Sequence, residues 1–157
     1  MKHPLIKTIG LGMVAGMRGA SAPALLSEHF SKHPQFGLVN SGLNFLQKKP
    51  FAMISKFMAA GEFAGDKLPN IAARISPAQL SGRALSGALV GAGIYKGNGN
   101  SALKGALIGA ASAIAFSFIS YYLRKEISKN TNIDDKVSGL VEDTLAVTAG
   151  AAIMKIK

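Results

Sequence analysis

The chain has 157 residues, enough for one domain, and no extended linker divides it, so we expect a single integral membrane domain over residues 1–157. Apolar residues make up 48% of the sequence and charged residues 17%, against about 25% in a typical soluble domain, which argues against a water-soluble globular protein. The absence of cysteine excludes disulfides and thiolate metal sites. The net charge of +10 comes mostly from basic residues between apolar runs, without a nucleic-acid-binding motif. We therefore expect no nucleic-acid partner and no cofactor.

Small residues are the most distinctive part of the composition. Glycine, alanine and serine together fill 56 of the 157 positions, while tryptophan is absent. Small residues let helix backbones approach closely in a bilayer, where tight helix contacts replace the large side chains of a soluble core. The sequence therefore predicts an all-α fold, a polytopic membrane bundle of about five short Gly/Ala-rich transmembrane helices.

The first apolar segment runs over Leu5–Ser27 and carries Arg18 near its centre. Basic residues before the apolar run resemble a signal peptide, but Arg18 stands just before the small residues of the cleavage site, so we expect the segment to be retained. The loop that follows, Glu28–Lys49, contains a modestly amphipathic stretch at Leu43–Leu46, which is a candidate interfacial segment.

The second and third apolar segments, Pro50–Asp66 and Ser81–Tyr95, are separated by a stretch with two prolines. The prolines preclude one continuous helix, so we predict an extended basic loop over Lys67–Pro77. The next connection, Lys96–Ser101, is rich in glycine and asparagine, a composition typical of a tight turn between antiparallel helices. Its glycines follow no strand, which argues against a phosphate-binding loop.

The fourth segment, Gly105–Leu123, is the clearest span. It has nineteen residues without a charge and ends in a tyrosine pair followed by two basic residues. This length crosses about 30 Å of hydrocarbon, and an aromatic pair with a basic stop is typical of a membrane interface. A buried helix of a soluble protein would normally show polar residues every third or fourth position, and here only serines interrupt the run.

The fifth segment, Val137–Met154, contains Glu142 and Asp143. In one interpretation the helix begins near Lys136, and one of the two adjacent carboxylates faces a site while the other reaches solvent. In the alternative, Asp143 and Thr144 cap a helix that begins there. The ten residues that follow are too short to span a membrane alone, which favours the earlier start.

GxxxG spacing occurs on four of the five segments, at Gly12/Gly16, Gly61/Gly65, Gly87/Gly91 and Gly105/Gly109. This motif allows close contact between membrane helices. Because several faces carry it and the helix set is small, we expect a homo-oligomer, most simply a dimer. The five segments also allow an inverted repeat like those of transporters. Segments one and two would form one half, segments four and five the inverted half, and segment three would lie between them.

Ionisable residues within or at the ends of the segments define a candidate site. A lone charge at the bilayer centre costs upward of about 3 kcal/mol, so Arg18 needs an acidic partner, for which Glu62, Asp66 and Glu142 are candidates. Glu62 and Asp66 are four residues apart and share a helix face, where a cation, a metal ion or a shared proton would have to lie between them. Alternatively, Asp66 and Lys67 mark the water boundary. The candidate residues for binding a solute or ion are Arg18, Glu62, Asp66, Lys67, Arg74, Arg83, Glu142 and Asp143.

Several short motifs resemble a known family. They are Gly16-Met17-Arg18, Ala22-Pro23-Ala24, Gly61-Glu62, Gly65-Asp66-Lys67-Leu68-Pro69, Arg74, Pro77, Arg83, Gly87-Ala88, Glu142-Asp143 and Ala146. Over nearly the whole chain they resemble the bacterial membrane family called domain of unknown function 4126. The resemblance implies a multi-pass protein of the bacterial inner (cytoplasmic) membrane, and it implies no activity or catalytic residue. Gly19-Ala20 depart from the family pattern, in which a bulkier or hydroxyl residue follows Gly-Met-Arg.

Three functions are compatible with these features. A small transporter or channel fits best, with the lipid bilayer and a small ion or solute as partners, because opposite charges at membrane depth are typical of transport sites. A membrane-embedded enzyme acting on a lipid head group is the alternative, with Glu62, Asp66 and Asp143 binding Mg²⁺, although their spacing matches no metal motif. A structural or scaffold protein, in which the charges only lock helix packing, is the third.

Overall fold

The computed structural model describes residues 3–65, 75–130 and 135–156 of the chain. The predicted all-α class is confirmed, since every regular element in these ranges is helical and none is a strand. The helices described there are α1 Pro4–Met17, α2 Ser21–Lys32, α3 Phe36–Val39, α4 Lys49–Gly65, α5 Pro77–Gly97, α6 Ala102–Asn130 and α7 Asp135–Lys155, with a 3₁₀ turn at Asn44–Gln47 between α3 and α4.

The first predicted segment, Leu5–Ser27, does not form one continuous helix, and this corrects the prediction of a single first span. α1 ends at Met17 and α2 begins at Ser21. Arg18, the first residue after α1, has an extended backbone (φ −138°, ψ 101°), which ends the helical path. The two helices fold back on each other as a hairpin, and we call residues 18–20 the hairpin tip.

Contacts with α5 establish the directions of the hairpin helices. α1 runs antiparallel to α5, because Thr8 lies against Gly91 whereas the tip lies against Arg83. α2 runs parallel to α5, because the chain passes from the tip at Arg83 back to Leu26, which lies against Gly93. α1 and α2 therefore run in opposite directions, and both of their outer ends lie at the same end of the bundle.

The other long helices alternate in direction around the hairpin. α4 reaches the tip near its own C-terminal end. α5 and α6 are joined by the turn predicted at Lys96–Ser101, where Gly99 adopts φ +76°, a conformation that glycine reaches without strain. α7 runs antiparallel to α1, with Asp143 at the tip and Ile153 against Gly10. α4 thus ends close to the tip, whereas α5, α6 and α7 continue past it.

Close glycine contacts hold α1, α5 and α6 together. A Cβ atom placed on Gly91 or Gly105 would overlap with a backbone carbonyl of the facing helix, so the two backbones are in direct contact. Gly61, on α4, has no atom within 4 Å of such a Cβ. The motifs that pack inside the chain are Gly12/Gly16, Gly87/Gly91 and Gly105/Gly109. Because three of the four GxxxG motifs are used within one chain, they no longer provide an argument for a dimer.

One helix of the described residues is long and apolar enough to cross a membrane. It covers Ala102–Glu126 in α6, with a mean hydropathy of 1.7. Only 22% of that apolar stretch is buried, because a narrow stripe of small residues packs on α1 and α5 while the large apolar side chains face outward. α1 is a shorter apolar helix. These two apolar helices favour association of the protein with a membrane.

The start of α7 decides between the two interpretations of the last segment. α7 begins at Asp135, so the prediction of a helix starting near Lys136 is confirmed and a cap at Asp143 is wrong. Pro77 is the first residue of α5, and most of the predicted loop before it lies outside the described residues. Among the described residues, the second half of the chain contains no hairpin like α1–α2, so the fold gives no support to an inverted repeat.

Candidate functional site

At the hairpin tip the helical path is interrupted, so backbone polar groups need other hydrogen-bond partners. A helix end leaves carbonyl groups unpaired, and a helix start leaves N–H groups unpaired. Arg18 N still donates to Val14 O at 2.8 Å, and Ser21 N donates to Arg18 O at 3.2 Å. The other polar groups of the tip depend on side chains from the surrounding helices.

Glu62, on α4, accepts the amide hydrogens at the start of α2. Gly19 N donates to its Oε1 at 3.0 Å and Ala20 N donates to its Oε2 at 2.7 Å. A carboxylate at the N-terminal end of a helix also interacts favourably with the helix dipole. Pro23, in the first turn of α2, has no N–H group to satisfy. Glu62 therefore acts as a cap provided by a different part of the chain.

Two serine hydroxyl groups satisfy the carbonyl groups of the tip region. Ser86, on α5, donates to Gly19 O. Ser117, on α6, donates to Gly16 O at 3.0 Å and shares this bond with Ala113 O at 2.8 Å. α4 and α5 thus bind the backbone of the tip directly, and α6 binds the last turn of α1 next to it. Neither serine stood out in the sequence, because serines on Gly/Ala-rich helices are common and usually bond to their own helix.

Arg18 connects the tip to α7. Its side chain is 2% exposed and forms a salt bridge with Asp143, which is 18% exposed. Among the three expected acidic partners of Arg18, only the side chain of Glu62 is described, and it does not pair with Arg18. The partner described here is Asp143. A buried charge of this type is tolerated only with a well-placed counter-charge, which explains why the two residues occur together.

A pocket of about 550 Å³ lies beside the tip, between α2, α4 and α5. We call it the tip pocket. Its walls are mostly apolar and include Phe51 and Leu89, while Glu62, Gln79 and Arg83 provide its main polar groups. Arg83 is only 6% exposed. Pockets of this size with a few convergent polar groups are typical of small-molecule sites.

The structure brings four of the eight predicted site residues to the tip and its pocket, namely Arg18, Glu62, Arg83 and Asp143. Asp66, Lys67 and Arg74 lie outside the described residues, as does the side chain of Glu142. Within the described residues, no three or more histidine and carboxylate side chains lie close enough together to hold a metal ion. Asp66, one of the three proposed Mg²⁺ ligands of the enzyme alternative, is not among these residues.

A second ionic group lies at the far end of α2, beyond its apolar part. Glu28 pairs with Lys32 on the same helix and with Lys56 on α4, each at 2.6 Å. Hydrogen bonds to these two ammonium groups lower the pKa of Glu28 to about 2. This exposed cluster fixes the side of α2 that faces α4, at a distance from the tip.

Comparison with known families gives one match. The model of the family described as "Domain of unknown function (DUF4126)" matches residues 5–156, nearly the whole chain. No curated protein and no solved structure matches the chain.

Proposed function

The chain belongs to the DUF4126 family, and we propose that it is a multi-pass transporter or channel of the bacterial inner membrane, with the hairpin tip as its solute site. The observation that carries the proposal is the broken helix itself. In membranes, non-helical backbone at depth is tolerated only where protein buries it or where it lines a cavity. Transporters place their binding sites at such helix breaks, where helix ends present partial charges.

We assign four spans, α4 to α7, and one re-entrant hairpin, and the lengths of α5, α7 and the two hairpin helices support this arrangement. At 1.5 Å per residue, α5 and α7, with 21 residues each, reach about 31 Å, close to the thickness of the hydrocarbon core. α1 and α2, with 14 and 12 residues, reach only about 21 and 18 Å. The hairpin therefore enters and leaves on the same side, in place of the first of the five predicted spans.

The outer surface supports membrane insertion of the whole bundle. Large apolar side chains are exposed on α1, α4, α5, α6 and α7, for example Ile6, Phe57, Leu85, Leu107 and Leu140. A soluble monomer rarely exposes so many apolar residues on every side, whereas lipid tails solvate them at no cost.

The position of the charges supports a solute-binding site and not only a role in helix packing. Ser86 and Asp143 lie near the midpoints of α5 and α7, so the tip lies near the middle of the proposed bilayer. Ionisable residues at this depth usually mark solute or ion pathways. In addition, Ser21 Oγ is buried beside the tip and has no hydrogen-bond partner among the described residues. Buried polar atoms of this type are commonly satisfied by a ligand or a water molecule. The described tip groups come from a single chain, so the proposal does not require a dimer.

Cysteine accessibility tests the membrane arrangement, and the cysteine-free chain gives a clean background. We would introduce single cysteines by His3→Cys, Asn98→Cys and Lys125→Cys and label inverted and right-side-out vesicles with a membrane-impermeant maleimide. We expect the cysteines at positions 3 and 98 to react with the maleimide from one side of the membrane and the cysteine at position 125 to react from the other side. A bundle of five spans would instead place the His3 and Asn98 positions on opposite sides, and that result would overturn the re-entrant hairpin.

Flux measurements test the transport role. Purified protein in liposomes would be challenged with gradients of H⁺, Na⁺, K⁺, chloride, phosphate and glycerol, with Glu62→Gln as the site variant and Glu28→Gln as the matched control. We expect at least one probe to move faster than in protein-free liposomes, with that excess reduced at least about tenfold by Glu62→Gln, an effect of about 1.4 kcal/mol, and unchanged by Glu28→Gln. If folded protein moves every probe at the protein-free rate, the transport proposal is wrong and a scaffold role replaces it.

A further inference from the structure

Lys7 lies near the start of α1, which is the end remote from the hairpin tip, and its side chain is only 3% exposed. It forms no salt bridge or side-chain hydrogen bond with any residue that the structure describes. A buried ammonium group without a counter-charge is costly, so it either loses its proton or is neutralised by an anion. A bound anion at this position would therefore stabilise the fold.

The start of α1 offers hydrogen-bond donors at the same place. Pro4, the first residue of α1, has no N–H group, and Lys7 N donates to His3 O at 3.2 Å. Between them, the N–H groups of Leu5 and Ile6 donate to no described residue, and the side chain of His3 does not cap them. Helix side chains lean toward the N-terminus, so the side chain of Lys7 lies over this first turn. Free amides and the helix dipole attract anions to such a helix start.

Two histidines of α2 lie beside this turn. α1 and α2 are antiparallel, and Leu11 and Leu25 lie against the same glycine of α7. One turn further out on each helix, this pairing brings Lys7 and His29 to the same level. His29 lies within range of the charges of Lys7 and His33, and the ring centroids of the two histidines are 5.0 Å apart. We call Lys7, His29 and His33 the basic cluster.

Carboxylates at this end of the bundle do not neutralise the basic cluster. Glu28 is the one carboxylate that the described residues place there, and it is already bound by Lys32 and Lys56 on the side of α2 that faces α4. Lys96 and Lys155 add positive charge in the last turns of α5 and α7. The described part of this end is therefore strongly positive, and its field attracts anions.

A single oxyanion satisfies these groups together. His33 is exposed and His29 is half-buried, so the basic cluster is open to the surface at the histidines, while Lys7 lies behind them. Loss of the Lys7 proton would remove the cost of its charge but would leave the two free amides without a protein partner. A phosphate group carries negative charge and several acceptor oxygens, so it can bind the ammonium group, the amides and an imidazole N–H at once.

The depth of the basic cluster matches the lipid head-group layer in the proposed membrane arrangement. Lys7 precedes Arg18 by 11 residues, which is about 16 Å along α1. The tip lies near the middle of the proposed bilayer, and half of the hydrocarbon thickness is about 15 Å. The start of α1 therefore lies at the boundary where lipid phosphates and water meet.

We propose that the start of α1 binds a phosphate group, which arrives on a lipid head group or as the free ion. Lys7 neutralises its charge, the amides of Leu5 and Ile6 donate to its oxygen atoms, and His29 closes the site toward α2. This site is separate from the hairpin tip and goes beyond the proposed transport function. Only the supply of the phosphate by a lipid rests on the membrane arrangement.

Nuclear magnetic resonance of histidine side chains offers a direct test, because the chain has only three histidines. The full chain, with isotope-labelled histidine in a non-ionic detergent, would be titrated at constant pH with inorganic phosphate, with dihexanoyl phosphatidylglycerol and with chloride at matched ionic strength. We expect the His29 signal to shift and saturate with at least one phosphate probe and not with chloride. The probe that saturates at the lower concentration identifies the source, either the free ion or a lipid head group.

Two lysine variants test the assignment to the basic cluster. Lys7→Gln should weaken phosphate binding at least about fivefold, the typical effect of one basic residue on an anionic group. Lys104→Gln, the matched control, removes an exposed lysine from the same end and should leave the binding unchanged. Equal weakening by both variants would overturn the proposal, because the whole basic end would then attract anions without a specific site. A folded wild-type protein that gives no saturable shift with either phosphate probe would also overturn it, even if Lys7→Gln fails to fold.

The titration in detergent does not depend on transport or on the membrane arrangement. A saturable shift of His29 would support the phosphate site even if every probe crossed liposomes at the protein-free rate. Flux that depends on Glu62 would support transport even if no phosphate bound at Lys7. Failure of one proposal is therefore distinguishable from failure of the other.

Discussion

Removal of the Glu62 carboxylate should release the hairpin tip. Glu62 accepts two backbone hydrogen bonds, at 3.0 and 2.7 Å, from amides that have no helix partner. A hydrogen bond to a charged group contributes about 1.5–3 kcal/mol, and because Glu62 is half-buried at the pocket edge we take the lower value for each bond. Glu62→Ala should therefore cost about 3 kcal/mol, and Glu62→Gln, which retains one acceptor oxygen, about half of that.

Two measurements check this expectation. Reversible unfolding in mixed detergent micelles, followed by helical circular dichroism, gives the change in the free energy of unfolding. Hydrogen–deuterium exchange of a peptide covering residues 14–25 reports the tip itself, and about 3 kcal/mol corresponds to roughly a hundredfold faster exchange of its amides. Peptides from α6 should exchange as in the wild type, because the loss is local.

Glu28→Gln is the control for this experiment, since it removes a carboxylate that bridges lysines at the exposed end of α2. It should leave exchange of residues 14–25 unchanged. If Glu62→Ala also leaves the exchange of that peptide unchanged in a folded protein, the two hydrogen bonds do not hold the tip, and the account of Glu62 as its cap is wrong.

Three further predictions follow from the contacts. Gly91→Ala should destabilise the fold by about 2 kcal/mol in the same unfolding assay, because its Cβ overlaps with backbone of α6, whereas Gly61→Ala should be neutral or stabilising; equal effects would contradict the packing. Asp143→Asn should cost about 3 kcal/mol by leaving Arg18 without this counter-charge, and adding Arg18→Met should recover most of that loss; no recovery would mean that the pair is not coupled. The ion pairs of Glu28 should add at most about 1 kcal/mol at neutral pH, and because its pKa is lowered from 4.5 to about 2, this contribution should be lost as the pH falls from 4.5 through 2. Thermal unfolding of Glu28→Gln beside the wild type checks it, and a difference as large at pH 2 as at neutral pH would contradict the assignment.

Composition and hydropathy predicted the helical class and the positions of the later helices. The segments Gly105–Leu123 and Val137–Met154 fall inside α6 and α7, and the turn at Lys96–Ser101 lies where glycine and asparagine indicated it. These features depend on local chemistry, namely apolar length and turn residues. Local chemistry is visible in a single sequence.

The hairpin could not be recognised in the same way. Leu5–Ser27 is long enough to span a bilayer, and a hydropathy profile is the same whether the chain continues straight or turns back. Two signals pointed to a break, the central Arg18 with Gly19 after it and the proline at position 23, which suits the first turn of a new helix. Only the contacts with α5, far away in sequence, establish the direction of α2.

The candidate site was predicted by residue type, but the role of Glu62 in it was not. The cost of burying a charge identified Arg18, Glu62 and Asp143 as residues that need partners. That argument matched charge with charge, and so it did not anticipate that Glu62 would serve backbone amides instead of Arg18. A helix break creates partial charges that do not appear in a list of ionisable side chains, and this is why the backbone partner was missed.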